Sequence, residues 1–120
     1  MKEMIDKGVR VYNGSDWPAA PTDWRKGMQI SITRKTMGGL VCGEHQALNI
    51  EEALRTFTSD PAWLDYMEGT KGSIEIGMYA DFAVLGEDIT EIDPEKIEET
   101  PIHMSIVGGN VVYTDGTLSL

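Results

Sequence analysis

Asp16 is the side chain in this sequence whose setting best suits chemistry. Residues 9–13 (VRVYN) alternate apolar and polar types with high strand propensity, and GSDWP follows at 14–18. This predicts a short β-strand that runs into a glycine and presents an aspartate at its end, ahead of a proline-rich aromatic loop. α/β enzymes place a catalytic acid at the rim of a sheet or barrel in this way. The bland alternative is an Asx-turn residue or helix cap, since Asp is common before Pro-containing turns.

The other candidate groups are sparse. The chain has two histidines, His45 and His103, neither in a His-x-His pair, and each reads as an ordinary surface or half-buried histidine. Its single cysteine, Cys42, excludes an internal disulfide framework and suits a reducing compartment. It reads as a buried small residue or an exposed loop thiol. Ser15 has no Gly-x-Ser-x-Gly elbow around it, and no Asp-Thr-Gly pair is present for an aspartic-protease dyad. The MGGLVCG segment at 37–43 is a glycine-bearing loop without the lysine and Ser/Thr of a phosphate-binding loop.

The elements that must carry Asp16 can be placed in order. Residues 1–8 read as the end of a helix with Gly8 as its C-terminal cap. A helix is expected from Asp23 to Thr36, with a Trp24, Met28 and Ile32 stripe and with Arg34 and Lys35 in its last turn. Asn49 and Glu52 form a capping box that launches a helix over 50–59, with Ala53, Leu54 and Phe57 inward. A second short helix is expected over 61–68, carrying Ala62, Trp63, Tyr66 and Met67, its aromatics reading as core. Beyond Gly69 the pattern becomes β: strands at 71–77 and 80–86, an acidic helical turn at 93–99 with Pro94 in first position, and a hairpin from 102–107 to 111–113 around Gly108 and Gly109.

Composition sets the outer bounds. The chain has 120 residues and a net charge of −10. Residues 1–60 carry eight Lys/Arg and eight Asp/Glu, whereas 61–120 carry two and twelve. So acidic a second half repels a phosphate backbone, which argues against a nucleic-acid partner. No apolar run reaches a membrane span, and the N-terminus is not a secretory signal, so a cytoplasmic location is expected. The charge shift and the change from α/β to β agree on a boundary at 68–72.

Five short motifs, taken together and in order, resemble a known family. They are GSDWP at 14–18, IEEALRTFT at 50–58, KGSIEIG at 71–77, ADFAVL at 80–85 and IVGGNVVY at 106–113. Their order and spacing are similar to the closing section of amidohydrolase-superfamily enzymes, and within them the amidohydrolase 3 group, which acts on non-peptide C–N bonds. The resemblance implies an α/β plus β architecture. Residues 1–69 would be the last strand and helices of a (β/α)8 barrel, and 70–120 the C-terminal part of a small composite β-sandwich. It implies that Asp16 is a ligand of a divalent metal, zinc in the parent enzyme, and the general base that takes a proton from metal-activated water acting on a small-molecule amide.

The chain also departs from that pattern. It lacks the family's His-x-His pair, the bridging lysine or carboxylate-type ligand and the two further histidines, so Asp16 has no partners here and no metal is expected on this chain alone. The expectation is therefore a share of a hydrolase that is inactive in isolation. The alternative is a non-catalytic binding or assembly module that self-associates, as a homo-oligomer or by strand exchange, through unpaired strand edges.

Overall fold

The computed structural model describes residues 1–36 and 38–119. Four α-helices, α1 (Lys2–Asp6), α2 (Trp24–Thr33), α3 (Ile50–Phe57) and α4 (Ser59–Leu64), precede three strands, β1 (Phe82–Leu85), β2 (Ile102–Val107) and β3 (Asn110–Thr114). Two 3-10 helices, Glu44–Gln46 and Pro94–Glu99, lie between them.

Helix ends follow the chemistry of their caps. At the end of α1, Gly8 takes φ +78°, its N–H donates to the Ile5 carbonyl, and the Val9 N–H donates to the Met4 carbonyl. That is a complete Schellman arrangement, as the glycine predicts. Asp23 caps α2 by accepting from the Arg25 N–H. The Asn49–Glu52 capping box is formed in both directions, at 2.8 and 3.0 Å. α2 ends three residues earlier than expected. Arg34 turns left-handed at φ 56°, and Lys35 pairs with Val41 in an antiparallel bridge, so neither base lies in the last helical turn. Of the loop at 37–43, Met37 lies outside the described residues.

The core is helical and draws on both halves of the chain. Met28 of α2, Leu48, Ala53 of α3, Ile89 and Ile97 form its buried centre, with Ile5, Trp24, Ile32, Leu54, Phe57 and Leu85 packed around it. The 3-10 helix Pro94–Glu99 lies against α2, where the Gln29 side chain accepts from the Glu98 N–H and Arg25 donates to the Thr100 carbonyl. Pro94 stands first in that 3-10 helix, as expected, and Asp93 caps it by accepting from the Glu95 N–H.

The sheet is antiparallel in the order β1-β2-β3. Gly108 and Gly109 form the two-residue turn between β2 and β3 with φ of 56° and 80°, the conformation a tight hairpin requires. Asp81 accepts from the Gly108 N–H and Ala80 accepts from the Gly109 N–H, which ties the turn to the start of β1.

Three expectations are corrected. Residues 9–13 are extended but are not a strand, and 71–77 form a turn-rich excursion closed by the Tyr79 N–H on the Thr70 carbonyl. Strand identity is a property of a ladder, and among the described residues neither segment has a neighbouring strand to pair with. Ile74 and Ile76 are accordingly exposed. The second short helix begins earlier, at Ser59, and its aromatics are not core: Trp63 is 43% exposed and Tyr66 90%. The Arg10 guanidinium lies 4.9 Å from the centre of the Trp63 ring.

Candidate functional site

Asp16 sits where an extended segment ends. From Arg10 to Asp16 burial alternates residue by residue: Val11, Asn13 and Ser15 are half-buried, while Arg10, Tyr12, Gly14 and Asp16 are exposed. A two-residue period means that one face of the segment lies on protein and the other is bare. Asp16 belongs to the bare face. Its backbone is left-handed at φ 51°, and its carbonyl accepts from the Ala19 N–H across a turn that contains the cis Trp17–Pro18 peptide.

The covered face is pinned at Asn13. Its N–H donates to the Thr56 carbonyl at 3.0 Å. Its side-chain Nδ2 donates to Ser31 Oγ of α2 and to Thr56 Oγ1 of α3, each at 3.0 Å. Both hydroxyls in turn donate to carbonyls of their own helices, Gly27 at 2.8 Å and Ala53 at 2.7 Å. Thr56 is fully buried and Ser31 nearly so. The sequence does carry a signal for this group: a polar side chain on the same two-residue phase as Val9 and Val11 must find partners in the protein.

Beside this junction lies a cavity of about 260 Å³, lined by Asn13, Ser15, Pro21, Trp24, Ile30 and Phe57 among others. Asp16 itself is not among the residues that line it.

The remaining candidates fall elsewhere. His45 is exposed in the 3-10 helix Glu44–Gln46, and Cys42 is an exposed thiol. His103 of β2 pairs with Asp115 just beyond β3, Nδ1 to Oδ2 at 2.7 Å. The His103 imidazole, with the Thr117 N–H as a second donor, holds the Asp115 carboxyl down to about 2. This pair is a product of hairpin register, since Met104 stands opposite Thr114 and its outer neighbours therefore meet.

Among the described residues no three His, Cys, Asp or Glu side chains come together in a group that could hold a metal ion. The donors present here therefore do not make a metal site, which would take three or four. Among the same residues, no helix is long and apolar enough to cross a membrane.

Comparison with known proteins places this geometry in context. The amidohydrolase family model (Amidohydro_3) matches residues 1–113. The chain is 34% identical over 115 residues to YtcJ of Bacillus subtilis (strain 168), a match covering 93% of this chain and 22% of that protein. It is 31% identical over 113 residues to an N-substituted formamide deformylase of Arthrobacter pascens, covering 94% and 21% respectively. It thus spans about a fifth of the length of these curated relatives. Among solved structures, the crystal structure of an amidohydrolase from Thermotoga maritima MSB8 superposes with a TM-score of 0.69 at 20% identity, over 93% of this chain and 25% of that one. The likeness in fold accords with the sequence match, and the chain belongs to the amidohydrolase family.

Proposed function

We propose that this chain is the C-terminal share of a metal-dependent amidohydrolase that cleaves a non-peptide C–N bond in a small-molecule amide, and that Asp16 is its catalytic carboxylate. The observation that carries this reading is the alternating burial from Val11 to Asp16, which leaves Tyr12, Gly14 and Asp16 on one face open to further protein. Residues 1–69 would then close a (β/α)8 barrel. In that barrel the 9–13 segment is the last strand and Asp16 stands at the rim where such folds keep their chemistry. Residues 70–120 would form part of a composite β-sandwich completed by strands from elsewhere. β3, exposed at every position, and the unpaired 71–77 segment suit that role, or pairing with a second copy.

The donors that complete the site lie outside this chain, so the chain alone is inactive in this reading. Asp16 supplies one carboxylate. Held at the end of the segment, it can accept the proton that water loses as it attacks the amide carbon. The exposed lone thiol of Cys42 suits a cytoplasmic setting.

The test is Asp16→Asn in the purified full-length protein, assayed on an N-substituted formamide, the substrate class named for one relative. Asparagine keeps the shape and removes the basic oxygen. A loss of about 10²- to 10⁴-fold in kcat with KM nearly unchanged is expected. Wild-type kcat in that variant would sink the assignment.

A further inference from the structure

We infer that Asn13, clamped between Ser31 and Thr56, is the positioning residue for Asp16. This rests on the role proposed above for Asp16, but it concerns a different group of atoms and a different measurement.

The extended segment touches the helices through few directed bonds. At its start the Val9 N–H reaches Met4, and from there to Asp16 the fixed point is Asn13, with its backbone N–H and both protons of its side-chain amide engaged. The assignment of the amide is dictated by its partners. Each hydroxyl has one proton and donates it to a helix carbonyl, so each meets Asn13 as an acceptor, and two acceptors match the two protons of one –NH₂ group. An aspartate has no proton to give at neutral pH, and an alanine would leave two buried hydroxyl acceptors without their partner.

Asp16 follows three residues later, within about 10 Å of backbone. Among the described residues, it is held from the other side by the turn in which its carbonyl accepts from the Ala19 N–H. Its own side chain is exposed. The orientation of the carboxylate is thus inherited from the backbone between a pinned residue and a turn. The pin joins α2 and α3 at the same point, so both helices contribute to where Asp16 stands. Neither helix depends on the pin for its own ladder, which is made of backbone bonds: Asn13 engages two side-chain hydroxyls and the Thr56 carbonyl, which lies in the last turn of α3.

The inference is tested on the full chain by ¹⁵N relaxation and amide exchange in Thr56→Val, which keeps the side-chain shape and removes the hydroxyl, and in Thr56→Ser, which keeps the hydroxyl. In Thr56→Val the order parameters of Gly14, Ser15 and Asp16 should fall from about 0.85 to below about 0.6. Exchange protection along α2 and α3 should stay within about twofold of wild type. Thr56→Ser should restore order at 14–16, and Ser31→Ala, should Thr56→Val fold poorly, should loosen the same three residues. Unchanged order at Ser15 and Asp16 in Thr56→Val and Ser31→Ala would overturn the inference, as would an equal loss of protection throughout both helices. An inactive or fully active Asp16→Asn enzyme bears on the role of Asp16 alone and leaves these relaxation results to decide the clamp.

Discussion

The helical core and the three-stranded sheet are built to different standards of completeness. In the core, Met28, Ala53 and Ile97 are fully buried, and the helices that carry them are capped at their N-termini by Asp23, Asn49 and Asp93. In the sheet, β3 is exposed at all five positions, with Val112 at 62% and Tyr113 at 50%, and β2 buries only Met104. Both regions obey their local rules: the turn glycines have the right φ and the strands pair in register. What differs is the supply of partners. A helix satisfies its own backbone and needs one covered stripe, whereas a sheet needs neighbours along its edges and a layer on each apolar face. The bare face that ends at Asp16 belongs with the sheet in this respect.

This contrast makes measurable claims. The largest effect should come from truncation in the core: Ile97→Ala should lower unfolding stability by about 2–5 kcal/mol in urea titration. The matched change in the sheet, Val112→Ala, should cost less than about 0.5 kcal/mol, since little is covered there. A cost for Val112→Ala approaching that of Ile97→Ala would erase the distinction. A middle-sized effect is expected at the α3 cap, where Asn49→Ala should lose about 1 kcal/mol, seen as a shifted urea midpoint with an unchanged slope.

The smallest effect lies at the hairpin's end. Asp115 is held to about 2 in the folded protein by His103 and the Thr117 N–H, below the roughly 3.9 of a free aspartate. Its ionised form therefore favours the folded hairpin. That contribution is complete above pH ~4 and is lost as pH falls through ~2. The Thr117 amide, followed by NMR, should become more exchange-labile across this window in wild type, and Asp115→Asn should flatten the profile. A wild-type profile already flat from pH 5 to 2 would remove His103–Asp115 as a tie.

Much of the local structure was legible in the residues. Gly8, Asn49 with Glu52, Asp93 with Pro94, and the Gly108–Gly109 pair each encode a turn or cap through backbone sterics or a side-chain hydrogen bond within a few residues. The five ordered motifs marked the family, which the family-model match across residues 1–113 then showed. Other expectations failed for a common reason. Residues 9–13 and 71–77 have strand sequences and no ladder, and Trp63 and Tyr66 have core composition and no cover. Helix α2 ends early at Arg34 because the chain folds back there, with Lys35 pairing with Val41 six residues on.

For Asp16 the same division holds. The sequence by itself determined its place after an alternating segment and before a rigid turn, because alternation, glycine and proline act over neighbouring residues. Only the tertiary structure decided which face it occupies and what fixes the backbone leading to it. Those depend on Ser31 and Thr56, 18 and 43 positions from Asn13, being brought to one point by the packing of α2 and α3. The alternation shows that Asn13 must find partners, but nothing in it names them, since bonds of that reach are set by how helices pack rather than by what stands next in sequence.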